Sequence, residues 1–283
     1  MAGSNVTTLN DLLPQIVAEA MFVASERSIM RNLVKNFDIP PQSGNSIVVP
    51  RYPIVSASAY TGSADTEITN SAVSTDGVTL TIGTVALRTM LSDQARYSAA
   101  SNVVADIGRL FGEAIARKQD QDLCNLFSGF SQTVGSTGTA VSAATIFQAV
   151  AKLRSSGVPG SDLACVLHPN IAYDLKANLT NTFANPNAGI LQNEAMMTGY
   201  VGMLAGVPIY ETSNITADSG AAGDWIGGLF HRDALGLAMA GGINIESQRR
   251  ASFLGDDIVG SANYAVGELY DTYGVAILGD ASI

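Results

Sequence analysis

Charge is scarce in this sequence. Asp, Glu, Lys and Arg make up 14% of its 283 residues, against roughly 25% in an average soluble domain. Lysine is the rarest of the four, with only Lys35, Lys118, Lys152 and Lys176. No basic cluster exceeds "QRR" at 248–250, and the formal net charge is −10. This argues against a phosphate-neutralising patch for direct nucleic-acid binding. Cysteine is nearly missing too. Cys124 lies in a helical pattern and Cys165 in the apolar run "LACVLH". Both are expected to be buried small apolar residues rather than part of a disulfide framework, which suits a reducing compartment. Long hydrophobic runs are also lacking. Mean hydropathy is nonetheless +0.21 and 47% of residues are hydrophobic. The most suspicious stretch, "ALGLAMAGGI" at 234–243, is short, Gly-broken and well below the roughly 20 residues of a spanning helix. The start, "MAGSNVTTLNDLLPQ", has neither the basic end nor the compact apolar segment of a signal peptide. An apolar, weakly charged chain without membrane spans points to surface hidden by other protein, as in an obligate oligomer.

Catalytic constellations are missing as well. The two histidines, His168 and His231, are far apart and sit in no metal-ligand spacing, so structural hydrogen bonding is the expectation for both. No GxSxG elbow is present, and the 28 glycines form neither GxGxxG nor GxxxxGK[ST]. On a helix Asp120 and Asp122 point about 200° apart and read as solvated charges. "GDD" at 255–257 reads as a turn with solvated acids in preference to an ion site. The Met-rich "EAMMTGYVGM" reads as packing. These absences imply no cofactor, no metal and no enzyme.

What is present is an order of elements. Residues 10–37 read as an amphipathic helix, with Ile16, Ala20, Val23, Ile29 and Leu33 on a loose 3.6-period stripe. "IPPQSGN" stops it. "SIVVPRYPIVSASAY" (46–60) reads as a strand, although Pro50 and Pro53 cannot donate ladder hydrogen bonds. A polar tip (61–77) leads to the return strand "DGVTLTIGTVALRTM" (76–90), where Val78, Leu80 and Ile82 alternate with threonines. A lone ribbon of this kind is marginal in water and needs a partner. The spacing then predicts one very long helix over 92–127, with Ser92 as N-cap and Val104, Ile107, Phe111 and Ile115 on one face. After a loop (131–142) come a helix capped by Ser142, the buried strand "DLACVLHP", a helix opened by Pro169 and an Asn-rich run (178–193) read as flexible. Further strands follow in "GVPIYETSNI", "DWIGGLFHRDALGLAMA" and "INIESQRR", and a last one over 264–278 is interrupted at Gly274.

Several stretches, in order, carry a resemblance. "SERSIMRNLVKNFDIPPQSGNSIVVPR", "RLFGEAIARKQDQDLCNLFSG", "LACVLHPNIAYDLKANL", "GMLAGVPIYETSNI" and "LFHRDALGLAMAGGINIESQRR" with "ANYAVGELYDTYGVAIL" resemble the major capsid protein of tailed bacteriophages, whose fold bacterial encapsulin shells share. The resemblance implies an α+β fold: an N-terminal arm (1–37), an extended β-hairpin loop (38–90), a peripheral domain with a long spine helix (91–142 and 240–264), and an α/β axial domain (143–239 and 265–283). It implies a structural subunit that assembles with itself into hexamers and pentamers of an icosahedral shell enclosing double-stranded DNA, in the virion, after assembly in the host cytoplasm. Portal, scaffolding and decoration proteins are the implied partners, with no membrane. Because the arm begins almost at Met1, scaffolding would come from a separate protein or a removed segment. No lysine lies between Lys35 and Lys118, so lysine crosslinking through the loop, used by some members, is absent. Arg51, Tyr52, Tyr60, Glu67, Arg88, Arg249 and Arg250 are the candidate intersubunit contacts; the competing reading is solvated surface. The alternatives are an encapsulin-type shell around cargo enzymes, which the long arm disfavours, and an α/β enzyme or sugar-binding surface protein.

Overall fold

The computed structural model describes residues 28–40, 44–52, 57, 76–98, 103–182, 202–216 and 223–282. The fold is α+β, built on two sheets joined by one helix. Sheet I contains β1 (Lys35–Asp38), β4 (Gly83–Ser92), β10 (Leu235–Met239), β11 (Asn244–Arg250) and β12 (Gly255–Glu268). The 14-residue β12 is its axis. β4 and β11 share partners along the first half of β12, so they flank it on opposite sides. β10 continues the β11 side, and β1 adds to it in parallel. Sheet II runs β5 (Thr133–Gly135), β13 (Gly274–Asp280), β9 (Asp224–His231), β6 (Leu163–Leu167), β8 (Val207–Glu211), β7 (Met203–Leu204). Its edge strands are three and two residues long. Such short edges blunt pairing with other chains.

β6 shows why sheet II is buried on both faces. Its five residues are all buried, and they alternate between two cores. Leu163, Cys165 and Leu167 join α4 (Ala143–Ser155) and α5 (Pro169–Thr182) through Ile146, Leu153, Ile171 and Leu175. Ala164 and Val166 face the other core, with Ile115, Leu123, Phe127 and Phe230. α4 begins where the Ser142 amide donates to Thr145 Oγ1 at 3.4 Å, and Gly157, at φ 77°, ends it in the left-handed conformation that glycine adopts freely. The helix joining the sheets is α3 (Val103–Asn125), followed by a 3-10 turn at Leu126–Gly129. Ile107 and Phe111 pack on sheet I, whereas Leu123 and Phe127 pack at the junction with sheet II. Phe127 is fully buried, a burial worth roughly 1.5–3 kcal/mol. Gly228 makes room for it: a Cβ there would stand 2.6 Å from the Phe127 ring.

Several expectations are corrected. The helix expected over 10–37 is described only from residue 28. Among the described residues it comprises the turn α1 (Met30–Leu33), and 35–38 is a strand, because pairing with β10 outweighs a weak helical pattern in "KNFD". The return strand breaks at Ile82: β3 (Asp76–Thr81) pairs with β2 (Ser46–Arg51), while β4 leaves for sheet I. The 92–127 helix is described as α2 (Asp93–Ser98) and α3, with 99–102 outside the described residues. Ser92 does cap, its Oγ accepting from the Ala95 amide at 3.2 Å. The 131–142 loop contains β5, and α5 runs on to Thr182, into the stretch read as flexible. The last strand is two strands, β12 and β13, in different sheets. "GDD" is the start of β12, and Asp256 and Asp257 are buried rather than solvated. Leu235–Met239, placed by the reading in the axial segment, pairs within sheet I.

Asp120 is also buried, at 0% exposure. It accepts from Ser28 Oγ at 2.7 Å and from the Ile29 amide at 3.1 Å, and so fastens the start of α1 to α3. Burial pushes its carboxyl up, against hydrogen bonds from Ser28, the Ile29 and Met30 amides and Asn214. Asp122 is tied instead to Lys118 and to the Tyr264 hydroxyl, at 2.7 and 2.8 Å. Asp120→Ala leaves several buried donors without an acceptor. We expect it to lower unfolding stability by about 2–4 kcal/mol in denaturant titration; a loss below about 0.5 kcal/mol would contradict the anchoring role.

Candidate assembly surface

The β2–β3 hairpin has a covered face and a bare one. Ile47, Val49, Val78 and Leu80 pack on Ile39, Ala238, Ala265 and Leu269 of the body. Val48, on the opposite face, is 61% exposed, and Tyr52 at the end of the ribbon is 60% exposed. The base of the ribbon therefore rests on its own chain, which the sequence did not suggest. Arg51 hooks it there. It pairs with Asp76, its register partner across the hairpin, and its Nη1 donates to the Leu269 carbonyl at 3.3 Å. In the sequence, the stretch 53–75 between the two strands carries Asp65 and Glu67 and no basic residue. Tyr60 and Glu67 lie outside the described residues.

A second acidic group sits beside the hook. Burial first, then the neighbouring Asp271 carboxylate, pushes Glu268 up to about 7. Asp271 is itself held low: burial opposes this, but hydrogen bonds from Ser131 and from Glu268 prevail.

Sheet I carries the other three predicted arginines, Arg88, Arg249 and Arg250. α3 covers the face bearing Leu91, Ile245 and Ile258. The opposite face presents Thr84, Ala86, Arg88 and Met90 of β4 and Glu246, Gln248 and Arg250 of β11, all exposed. On this face the buried Asp257 receives Arg88 at 2.7 Å and Arg250 at 2.9 Å, both on Oδ2. Two cations thus share one carboxylate, with the exposed Glu246 a second acid on the same face. Arg250 also lies 5.8 Å over the Phe253 ring, within cation–π range. Arg249 points to the other face and holds both oxygens of Asp93 at 2.6 Å, with Asp256 at 3.4 Å. Near this end of the sheet, Met90, Tyr97, Phe253 and Leu254 are exposed apolar residues, Tyr97 at 88%.

All four predicted arginines therefore have partners within their own chain. The acids that hold them were missed. A signal was present: "QRR" and "GDD" flank the short turn "ASFL", which sets opposite charges across from each other once the segment folds as a hairpin. The histidines have the structural surroundings expected. His168 stacks on Trp225 at 3.5 Å, and His231 Nδ1 accepts from the Asp233 amide at 3.1 Å. Both cysteines are buried; burial pushes Cys165 up to about 12. Among the described residues, no group of three metal-ligating side chains occurs, and no helix is long and apolar enough to cross a membrane.

The body is thus two sheets with one joining helix and a ribbon docked by one face. The profile of the phage capsid protein family matches residues 75–278, and the chain belongs to that family. Among solved structures, it is similar to a protein of Mycobacterium phage Che8 at 19% identity and a TM-score of 0.71, covering 89% of this chain and 91% of that one. A chain in the capsid of cyanophage P-SCSP1u gives 19% identity and a TM-score of 0.69, with 90% and 89% covered. The SrpI encapsulin of Synechococcus elongatus PCC 7942 gives 12% and 0.63, with 89% and 87% covered. No curated protein sequence matches the chain.

Glu268 provides a pH test of this surface. The unfolded chain releases that proton near 4.5, whereas the folded chain holds it to about 7. Its stabilising contribution is complete below 4.5 and is lost as pH rises through about 7. Glu268→Gln should flatten the fall in melting temperature across that window; an unchanged pH profile would remove Glu268 as its source.

Proposed function

We propose that this capsid protein forms the hexamers and pentamers of a closed icosahedral shell around double-stranded DNA. In this reading it works in the virion after assembly in the host cytoplasm and has no catalytic activity. Residues 1–37 act as an arm and the hairpin within 38–90 as an extended loop. The peripheral domain is organised around sheet I and the axial domain around sheet II. A portal, a separate scaffolding protein and a decoration protein are its expected partners. One observation carries the mechanism: the sequence over 53–75 is acidic without a base, while the bare face of sheet I presents the exposed guanidinium groups of Arg88 and Arg250. In this reading the acidic stretch, laid across a neighbour's sheet, meets those two arginines, and Val48 and Tyr52 bury apolar surface in the same contact. The net charge of −10 keeps the container from adhering to packaged DNA. The family profile favours a viral shell over an encapsulin-type one.

Negative-stain microscopy and size-exclusion of the purified protein test the shell itself; only monomers and small oligomers under every assembly condition would sink it. Removing 57–72 spares the paired base of the hairpin and should abolish shells while the subunit still melts cooperatively. Charge reversal tests the contact. Glu67→Arg should cut shell yield at least tenfold, and adding Arg250→Glu should recover part of it. Equal yields in all three proteins would show that the ribbon docks elsewhere.

A further inference from the structure

Sheet II ends in opposed negative charges that lack a counter-charge among the described residues. Asp224 opens β9 and Asp280 closes β13, and the two are direct partners in the antiparallel register. Such partners place their side chains on one face with Cβ atoms about 4.5–5.5 Å apart, where like charges are destabilising. Asp224 is only 1% exposed. Its Oδ1 accepts from the Gly138 amide at 3.1 Å, but its buried Oδ2 has no partner among the described residues. A buried carboxylate oxygen left this way is costly unless something pairs with it. Asp280 Oδ1 lies against Gly223, 3.0 Å from where a Cβ would stand, beside the backbone that enters Asp224.

The turn at 136–139 closes over this end of the sheet. Gly138 donates to Asp224, the Thr139 carbonyl accepts from the Asp280 amide at 3.0 Å, and Ser136 Oγ meets Thr139 Oγ1 at 3.0 Å. The turn supplies only backbone groups and hydroxyls. Asp174, further along this end of the chain's packing, is already committed to the amide and hydroxyl of Ser282. The contacts of Asp224 and Asp280 among the described residues are thus with backbone groups, with no thiolate or imidazole among them.

We propose that Asp224 and Asp280 bind a divalent, oxygen-preferring cation of the Ca²⁺ type. The free Oδ2 of Asp224 and the Asp280 carboxylate act as the charged ligands, and turn oxygens and water complete the shell. Two carboxylates balance one divalent charge, and an all-oxygen donor set favours Ca²⁺ over zinc or copper. With only two charged ligands the site belongs to the weak class, with a Kd on the order of 0.1–1 mM. The ion would pin the last strand to the 136–139 turn. The site does not depend on how subunits meet, so it stands or falls separately from the shell contacts.

The test uses the full-length protein, dialysed against EDTA at neutral pH and titrated with CaCl₂ at constant ionic strength, followed by calorimetry and by melting temperature. Saturable binding in that range with a rise of several degrees is the expected result. Asp280→Asn should weaken binding at least tenfold, and Asp224→Asn should abolish it. Without calcium, both variants should melt at or above the metal-free parent, because the repulsion is gone. No saturable binding up to about 10 mM overturns the proposal, since a proton or a water then satisfies Asp224. Unchanged binding in Asp280→Asn overturns it as well, by placing the ion elsewhere; this half-exposed position keeps the test valid if Asp224→Asn does not fold.

Discussion

Everything in this molecule depends on one helix packing against two sheets at once. α3 gives Ile107 and Phe111 to sheet I and Leu123 to the junction with sheet II, where Phe127 of the 3-10 turn that follows joins it. Because Phe127 is in contact with both the Gly228 backbone and the core shared with Leu235, Leu237 and Tyr264, neither sheet can shift without disturbing the other. Packed interiors are close to crystalline density and do not deform gradually. The arginine-bearing sheet I is therefore fixed relative to sheet II by the core, and the ribbon is fixed to sheet I by its covered face and by Arg51.

The division between legible and illegible features follows sequence distance. β6 was readable because five consecutive apolar residues before a proline allow little else. α4 was readable from Ser142, its apolar stripe and Gly157. Arg249 and Arg250 stood out in the sequence as candidate intersubunit contacts, but the acids of their own chain that hold them did not. Asp120 was not, because its donors sit 91 and 92 residues away, at Ile29 and Ser28. A carboxylate on a helix looks solvated until the segment that covers it is known. β1 escaped for a different reason: four residues at a sheet edge have no period to detect, and their conformation is imposed by β10. The break at Ile82 is a similar case, since strand pairing on both sides of that residue preserves the local alternation and only the partner changes.

The docked base of the hairpin alters how the proline-marked ribbon is understood. "SIVVP" is no free projection; its alternate residues Ile47 and Val49 rest on the body, and Pro50 faces solvent where no ladder bond is needed. Of the residues that follow it, Tyr52 is 60% exposed.

The intramolecular arginine pairs have one further consequence. Arg88, Arg249 and Arg250 each give up rotamer freedom when the subunit folds, because Asp257, Asp93 and Asp256 fix their positions. Long flexible side chains ordinarily lose about 0.5–1.5 kcal/mol of entropy each when a partner immobilises them. Here that loss is incurred when the chain folds, so the charge pattern around these strands is already set in place within the monomer.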